Sequence, residues 1–408
     1  MAATMDVASA LDALKTFYSK DKMANLTYPD RPLYAMLDKK TNFVGDKYKV
    51  PMKLTNPQGR GADFARAQAN KQASVYKAFY LERVKDYSLA SIDTESVLAS
   101  QNDAGAFLRL ATGEIDGAVD SLARSLAFSC YGDSSGSLAQ ASAAGTSANP
   151  TVVTLSDDED IVKFEVGQTL VVWSAKSAGT QRNFDGTNAR GVVSAVDRDA
   201  GTVSINRDNS GAGGTIVAGD YLFVDGDRGL KMSGLLDWIP ASAPSSASFF
   251  GVDRSVDPVR LAGTRYNASG IPIEEALITA ARKVAREGGR PNHLFISFEK
   301  FAALEKSLGT KAFYIERKIG DIGFKGLRIN GPKGDIEVFA DQDCPNAYGF
   351  MLDMRHWSLY SLGEAIRILD LDGNKMLRES SADAMEIRVG FFGQIGCRSP
   401  LGNAIITF

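Results

Sequence analysis

Two histidines, His293 and His356, are the entire imidazole supply of this 408-residue chain. Metal centres built on imidazole need several ligands at short spacing, so each of these two reads as a structural or surface side chain. Cys130, Cys344 and Cys397 lie far apart with no CxxC pair, which argues against a zinc knuckle or a disulfide framework and fits a reducing cytoplasm. The acidic run Asp157, Asp158, Glu159, Asp160 and the pair Asp225 and Asp227 carry calcium-type oxygens, but neither alternates over the length of an EF-hand loop. Both read as solvated turns. The stretch GLRINGPKG (Gly326 to Gly334) is spaced like a phosphate cradle, yet Pro332 removes an amide and no Lys-Ser/Thr pair follows, so a turn between strands is the better reading. Counting leaves a Ser-His-Asp set open, but no GxSxG elbow, Walker loop or dinucleotide fingerprint is present. No catalytic residue, cofactor site or metal site is therefore assigned.

Lys47, Lys49, Lys53, Arg60 and Arg66 form a local basic group, without aromatic interleaving for base stacking. It reads as a solvated face or as a set of ion-pair partners. With a formal charge of -3 there is no general field for phosphates, and 44% apolar with 23% charged residues is ordinary for a globular chain of two to four domains. The first residues, MAATMDVASALDALKTFYSKDK, have neither a basic leader nor a long apolar run, so neither a signal peptide nor a membrane span is expected.

The elements that would position such residues are organised around a long helix. From Asn102 to Ser129, Leu108, Ala111, Ile115, Val119, Leu122 and Leu126 recur at steps of three or four, a single helical stripe roughly 40 Å long. Asn102 or Asp103 is placed to cap it, and Gly105, Gly113 and Gly117 weaken it by about 1 kcal/mol each, so it needs packing partners. Ahead of it, Val7, Leu11, Leu14 and Phe17 make a short amphipathic arm, and Pro29 and Pro32 predict an extended crossing. Residues 47–54 alternate, with Tyr48, Val50, Met52 and Leu54 on one face and lysines on the other; a turn-rich tip and a second strand from Val75 to Ile92 complete a long hairpin. A lone hairpin is barely stable in water, so it is expected to find its partner on another subunit, the alternative being a fold-back onto its own domain.

The small-residue stretch DSSGSLAQASAAGTSANP after the helix reads as a linker. Short β-branched runs from Thr151 to Gly229 then predict an inserted antiparallel β-barrel or sandwich with Phe164, Trp173, Tyr221 and Phe223 in its core. Beyond it, Trp238 and Trp357 read as core residues in strand-like runs. A helix after Pro272 buries Ile273, Ala276, Leu277, Ala280, Ala281 and Val284, a strand follows at 293–297, a helix at 298–308, and strands at 335–340, 348–353, 385–392 and 403–408. Helices packed on a central sheet make an α+β chain.

This order resembles the major capsid protein of tailed bacteriophages, with its Hong Kong 97-like fold. FVGDKYKVPMKLTNPQGRGADFARAQAN is similar to the extended loop (E-loop), DAGAFLRLATGEIDGAVDSLARSLAFSCYGD to the spine helix, and GIPIEEALITAARKVAREGGRPNHLFISFEKFAALEKSLG to the axial-domain helix, strand and helix. RVGFFGQIGCRSPLGNAIITF resembles the closing strands. The resemblance implies an arm at 1–40, an E-loop hairpin at 41–92, the spine helix of the peripheral domain at 93–132, an insertion at 151–229, return strands at 230–265, an axial domain at 266–370 and terminal strands at 371–408. It implies a non-enzymatic homo-oligomer of pentamers and hexamers in an icosahedral shell around double-stranded DNA, assembled in the host cytoplasm and ending in the virion. Scaffold, portal and cement proteins are possible partners, DNA is a non-specific neighbour, and no membrane is involved. Expected intersubunit contacts are Leu11, Leu14 and Phe17 on the arm and Leu54, Pro57, Gly59, Arg60 and Phe64 on the hairpin. Self-crosslinking is not expected, because no acceptor Asn or catalytic acid can be placed. Two alternatives stand beside this: an encapsulin-type nanocompartment shell, and a cytoplasmic enzyme or sugar-binding protein using the β-insertion.

Overall fold

A computed structural model describes residues 31–93, 104–184, 188–209, 215–309, 314–319, 322–370, 376–379 and 383–408. The chain divides into two units: Tyr131–Asp237 with Pro345–Ala347, and the remainder.

The smaller unit is a closed barrel. Its antiparallel strands run in the order Ser137–Gln140, Tyr221–Val224, Thr169–Trp173, Gly191–Asp197, Thr202–Ile205 and Thr151–Thr154. The two ends of that order meet, because Ala141 pairs with Leu155, the Ser142 amide donates to Thr154 O at 2.9 Å and the Ser156 amide to Gln140 O at 2.8 Å. Of the two architectures expected, the barrel is the one that forms. Ser137–Gln140 lies inside the stretch expected to be a linker: its small residues pair as a strand and supply the closing seam. Alternation along each strand fills the interior with Val153, Phe164, Leu170, Val172, Val193, Val203, Ile205 and Leu222. Phe164 and Phe223 are buried as expected, whereas Trp173 and Tyr221 are only half-buried. Cations cover those two rings instead, with Arg228 Cζ 3.8 Å from the Trp173 ring centre and Lys176 Nζ 5.6 Å from that of Tyr221. The acidic run continues into a short 3₁₀ helix, Asp158–Lys163, whose start is capped by Asp157 accepting from the Glu159 amide.

In the larger unit, a seven-stranded mixed sheet runs Thr264–Asn267, Ala404–Thr407, Tyr348–Leu352, His293–Ile296, Gly334–Ala340, Ile322–Gly331 and Tyr314–Ile319. The helices Ile273–Arg286 and Phe298–Leu308 pack with it. Ser297 caps the second through the Lys300 amide, and Glu274 and Glu275 sit at the positive end of the first with Lys283 and Arg286 at its negative end. Ala276, Leu277, Ala280, Ala281 and Val284 meet Leu294, Ile296, Val338, Met351 and Ile406 in one apolar core.

A second sheet is built on the 14-residue strand Ala384–Cys397. Trp357–Ser361 and Val84–Asp93 both pair antiparallel with it, and Asp38–Lys40 pairs parallel with Trp357–Ser361. The spine helix is Ala104–Tyr131, its expected caps lying outside the described residues. Ile115, Val119, Leu122 and Leu126 are buried along its predicted stripe, and Ser125 Oγ donates to Asp86 on Val84–Asp93 at 2.6 Å. Arg31 Nη2 reaches Asp120 at 2.8 Å. Pro32 opens a short helix, Pro32–Met36, instead of an extended crossing, because its locked φ suits a first helical turn. Lys39 Nζ donates to Tyr34 O at 2.8 Å and Leu37 O at 3.2 Å behind that helix, and burial lowers its pKa to about 8. Trp238 is fully buried as expected, but at the end of a helical turn, Leu235–Trp238, in place of a strand.

Candidate subunit-contact surface

The hairpin pairs Lys47–Thr55 with Val75–Glu82. Lys47, Lys49, Pro51 and Lys53, with apolar residues between them, fold locally into a ribbon with one wet and one dry face. Val50, Met52 and Leu54 are buried together with Phe79 and Leu81. The dry face is covered by the subunit's own aromatic residues: the Phe79 ring lies 4.9 Å from Trp238, Trp238 lies 5.2 Å from Phe249 and 6.1 Å from Trp357, and Tyr48 lies 4.5 Å from Tyr360. This stem is the folded-back form that the sequence left as the alternative.

On the wet face the register sets Lys49 opposite Tyr80 and Lys53 opposite Tyr76, both tyrosines being exposed. Aromatic residues do accompany the lysines here; they come from the facing strand, which linear spacing does not show. Lys47 Nζ bonds Glu82 at 2.7 Å, and that hydrogen bond raises the lysine pKa.

Beyond Thr55 and Val75 the chain leaves the subunit's cover. Residues 56–66 are all exposed, and Phe64–Ala69 is a short helix with no buried residue. The tip holds itself together: the Gln58 amide donates to Gln72 O at 3.3 Å, and Asn70 Nδ2 to Arg60 O at 3.2 Å. A Cβ on Gly61 would stand 2.8 Å from the Ala67 nitrogen, so glycine lets the loop close on the helix. The helix lifts Phe64 into solvent at 81% exposure.

The structure thus gathers Pro57, Gly59, Arg60 and Phe64 on one protruding tip and seats Leu54 in the stem, 8% exposed. Leu11, Leu14 and Phe17 lie outside the described residues. A further apolar face escaped the sequence reading. The expected strand from Val75 to Ile92 breaks at Arg83 into two strands belonging to two sheets, and Tyr87 and Leu89 on the second are 51% and 61% exposed. In the first half odd-numbered residues (Phe79, Leu81) are buried, in the second even-numbered ones (Ala90, Ile92). The exposed Tyr87 and Leu89 continue the odd-numbered apolar pattern and hide that inversion.

Among the described residues, no group of three or more His, Cys, Asp or Glu side chains is placed to hold a metal, and no helix is long and apolar enough to cross a membrane. His293 is buried, 3.4 Å from Glu337 and stacked beside Phe295; His356 lies 3.7 Å from the buried Asp353. Cys130, Cys344 and Cys397 are buried free thiols, and burial raises the pKa of Cys130 and Cys397.

The larger unit thus combines a protruding hairpin, a long helix and a helix-backed mixed sheet, and the smaller one is a barrel. Residues 218–374 match the family model described as SU10 major capsid protein. No curated protein matches the chain in sequence. Among solved structures it is similar to the capsid of cyanophage A-1(L), at 11% identity over 93% of this chain and 92% of that one with a TM-score of 0.49. It is also similar to the capsid of a native GTA particle, at 10% identity over 91% and 88% with a TM-score of 0.45. Against the SrpI encapsulin complex of Synechococcus elongatus PCC 7942 the values are 10% identity, 99% and 95% coverage and a TM-score of 0.42.

Proposed function

We propose that this chain assembles as pentamers and hexamers into a closed icosahedral head around double-stranded DNA, and that it does so without catalysing a reaction. The family match over 218–374 carries this reading. The exposed tip supports it, because a closed shell needs a surface that reaches onto a neighbour through a repeated heterologous contact. On this reading Pro57, Gly59, Arg60 and Phe64 touch an adjacent subunit, as do Leu11, Leu14 and Phe17 of the arm. A formal charge of -3 suits a wall that holds DNA without gripping it, since strong phosphate contacts are adhesive and salt-dependent. Assembly takes place in the host cytoplasm, with scaffold, portal and cement proteins as candidate partners.

Negative-stain electron microscopy with sedimentation of the purified chain, expressed alone and with candidate scaffold genes, tests the proposal. Closed shells or five- and six-membered rings are expected; monomers or dimers under every condition would overturn it. The family match favours a phage head over the nanocompartment, and nucleic acid against protein cargo inside purified shells separates those two.

A further inference from the structure

The segment after the barrel grips the hairpin stem at two backbone points. Ser248–Phe249 and Val252–Asp253 pair with Phe249 opposite Val252, leaving Phe250 and Gly251 as a two-residue turn with φ of 47° and 85°. Both residues are left-handed, as a type I′ turn requires, and phenylalanine is an uncommon choice there. Two packing contacts hold it: the Phe250 ring lies 4.5 Å from Phe249 and 5.9 Å from Trp238. The turn points its carbonyl at the stem, where Phe250 O accepts from the Tyr80 amide at 2.9 Å. A Cβ on Gly251 would come within 3.2 Å of the Tyr80 ring.

The second grip is at the stem's upper end. The ladder pairs Lys53 with Tyr76 and Thr55 with Val75, so Leu54 is the bulged residue without a partner strand-to-strand. Bulges bend a strand and re-aim the residues beyond them. Arg260 Nη1 donates to the Leu54 carbonyl at 2.7 Å, and Asp257 steadies Arg260 by accepting from its amide at 3.1 Å and from Nε at 3.4 Å. At the base, Arg254 stacks on Phe249 with Cζ 3.8 Å from the ring centre and donates to Trp238 O at 3.2 Å.

We propose that Ser248–Arg260 is the positioning element of the hairpin: the Phe250–Gly251 turn fixes the stem edge, and Arg260 fixes the angle of the bulge from which the exposed tip departs. This rests on the capsid reading for its purpose but not for its geometry. A chain that must meet identical neighbours at five- and six-membered rings needs its reaching arm aimed within a narrow cone, and Arg260 sets that aim through the Leu54 carbonyl of its own chain.

Spin labels on cysteines introduced at Gln72 in the tip and Ile278 in the axial helix test this by pulsed electron resonance on the unassembled full-length chain; the native cysteines are buried. The parent should give one narrow distance distribution. Arg260→Ala should broaden it at least twofold with an unchanged thermal melt, Arg260→Lys should restore most of the narrowness, and Gly251→Val should shift its centre. Widths and centres unchanged in both Arg260→Ala and Gly251→Val would overturn the proposal. In assembly trials, Arg260→Ala shells should vary in diameter where parent shells do not. If the parent forms no shells while its labels still respond to Arg260→Ala, the capsid reading fails and the positioning role stands.

Discussion

The barrel and the hairpin are both antiparallel β-structure, yet they treat their surfaces in opposite ways. The bridge between Ala141 and Leu155 joins the two ends of the barrel's strand order, and its apolar residues converge on one interior. The hairpin buries only its stem and holds Phe64 out at 81% exposure on a helix with no buried residue. The barrel has satisfied its apolar surface within itself; the hairpin tip has not.

Deleting residues 56–74 is the severest test of this contrast. The protein should remain soluble and melt as before, because these residues contribute nothing to the core, while shells disappear from electron micrographs. Normal shells would remove the tip from assembly altogether. Next in size, Phe164→Ala in the barrel should cost about 3–5 kcal/mol in denaturant titrations by emptying a packed interior. The loss should be confined to the transition of Tyr131–Asp237, since that segment clusters apart from the rest.

A smaller effect separates the ion pairs of the two regions. Burial alone would push the Asp133 carboxyl up, but Lys176 at 2.7 Å and hydrogen bonds from Ser135 outweigh it and hold the pKa below the usual range. The barrel is therefore stabilised above the unfolded carboxyl pKa and loses that contribution as pH falls through the folded one. Barrel melts recorded down the acid limb should show this decline, flattened in Lys176→Met. The exposed Lys47 and Glu82 pair of the hairpin should contribute little and vanish in salt. Smallest of all, Phe64→Ser should leave the chain's stability within about 0.5 kcal/mol while lowering the yield of shells. A loss of several kcal/mol would show that the ring is packed in the free subunit after all.

Legibility in the sequence tracked how local each signal is. The helices Ile273–Arg286 and Phe298–Leu308 were readable almost to the residue, because one apolar stripe, end charges and a serine cap all agree. Barrel strands were readable one by one from β-branched runs between turns. Ser137–Gln140 was not, since Ser-Leu-Ala-Gln has no strand propensity and is held only by Tyr221–Val224 across the seam. The hairpin's period was plain and its fold-back was not, because Trp238, Phe249 and Phe250 that cover it arrive some 160 residues later, after the barrel. Tyr76 and Tyr80 joined the lysines only through register. The tip helix Phe64–Ala69 was missed because its polar, alanine-rich run has no buried stripe to read.

Both sheets of the larger unit are completed late. Ala384–Cys397 is the strand on which one sheet is built, and Ala404–Thr407 sits between Thr264–Asn267 and Tyr348–Leu352 in the other. At roughly 10 residues per second of translation, the hairpin strands leave the ribosome about half a minute before the segments that finish the body beneath them. A nascent chain therefore cannot present a complete body to a neighbour while it is still being made.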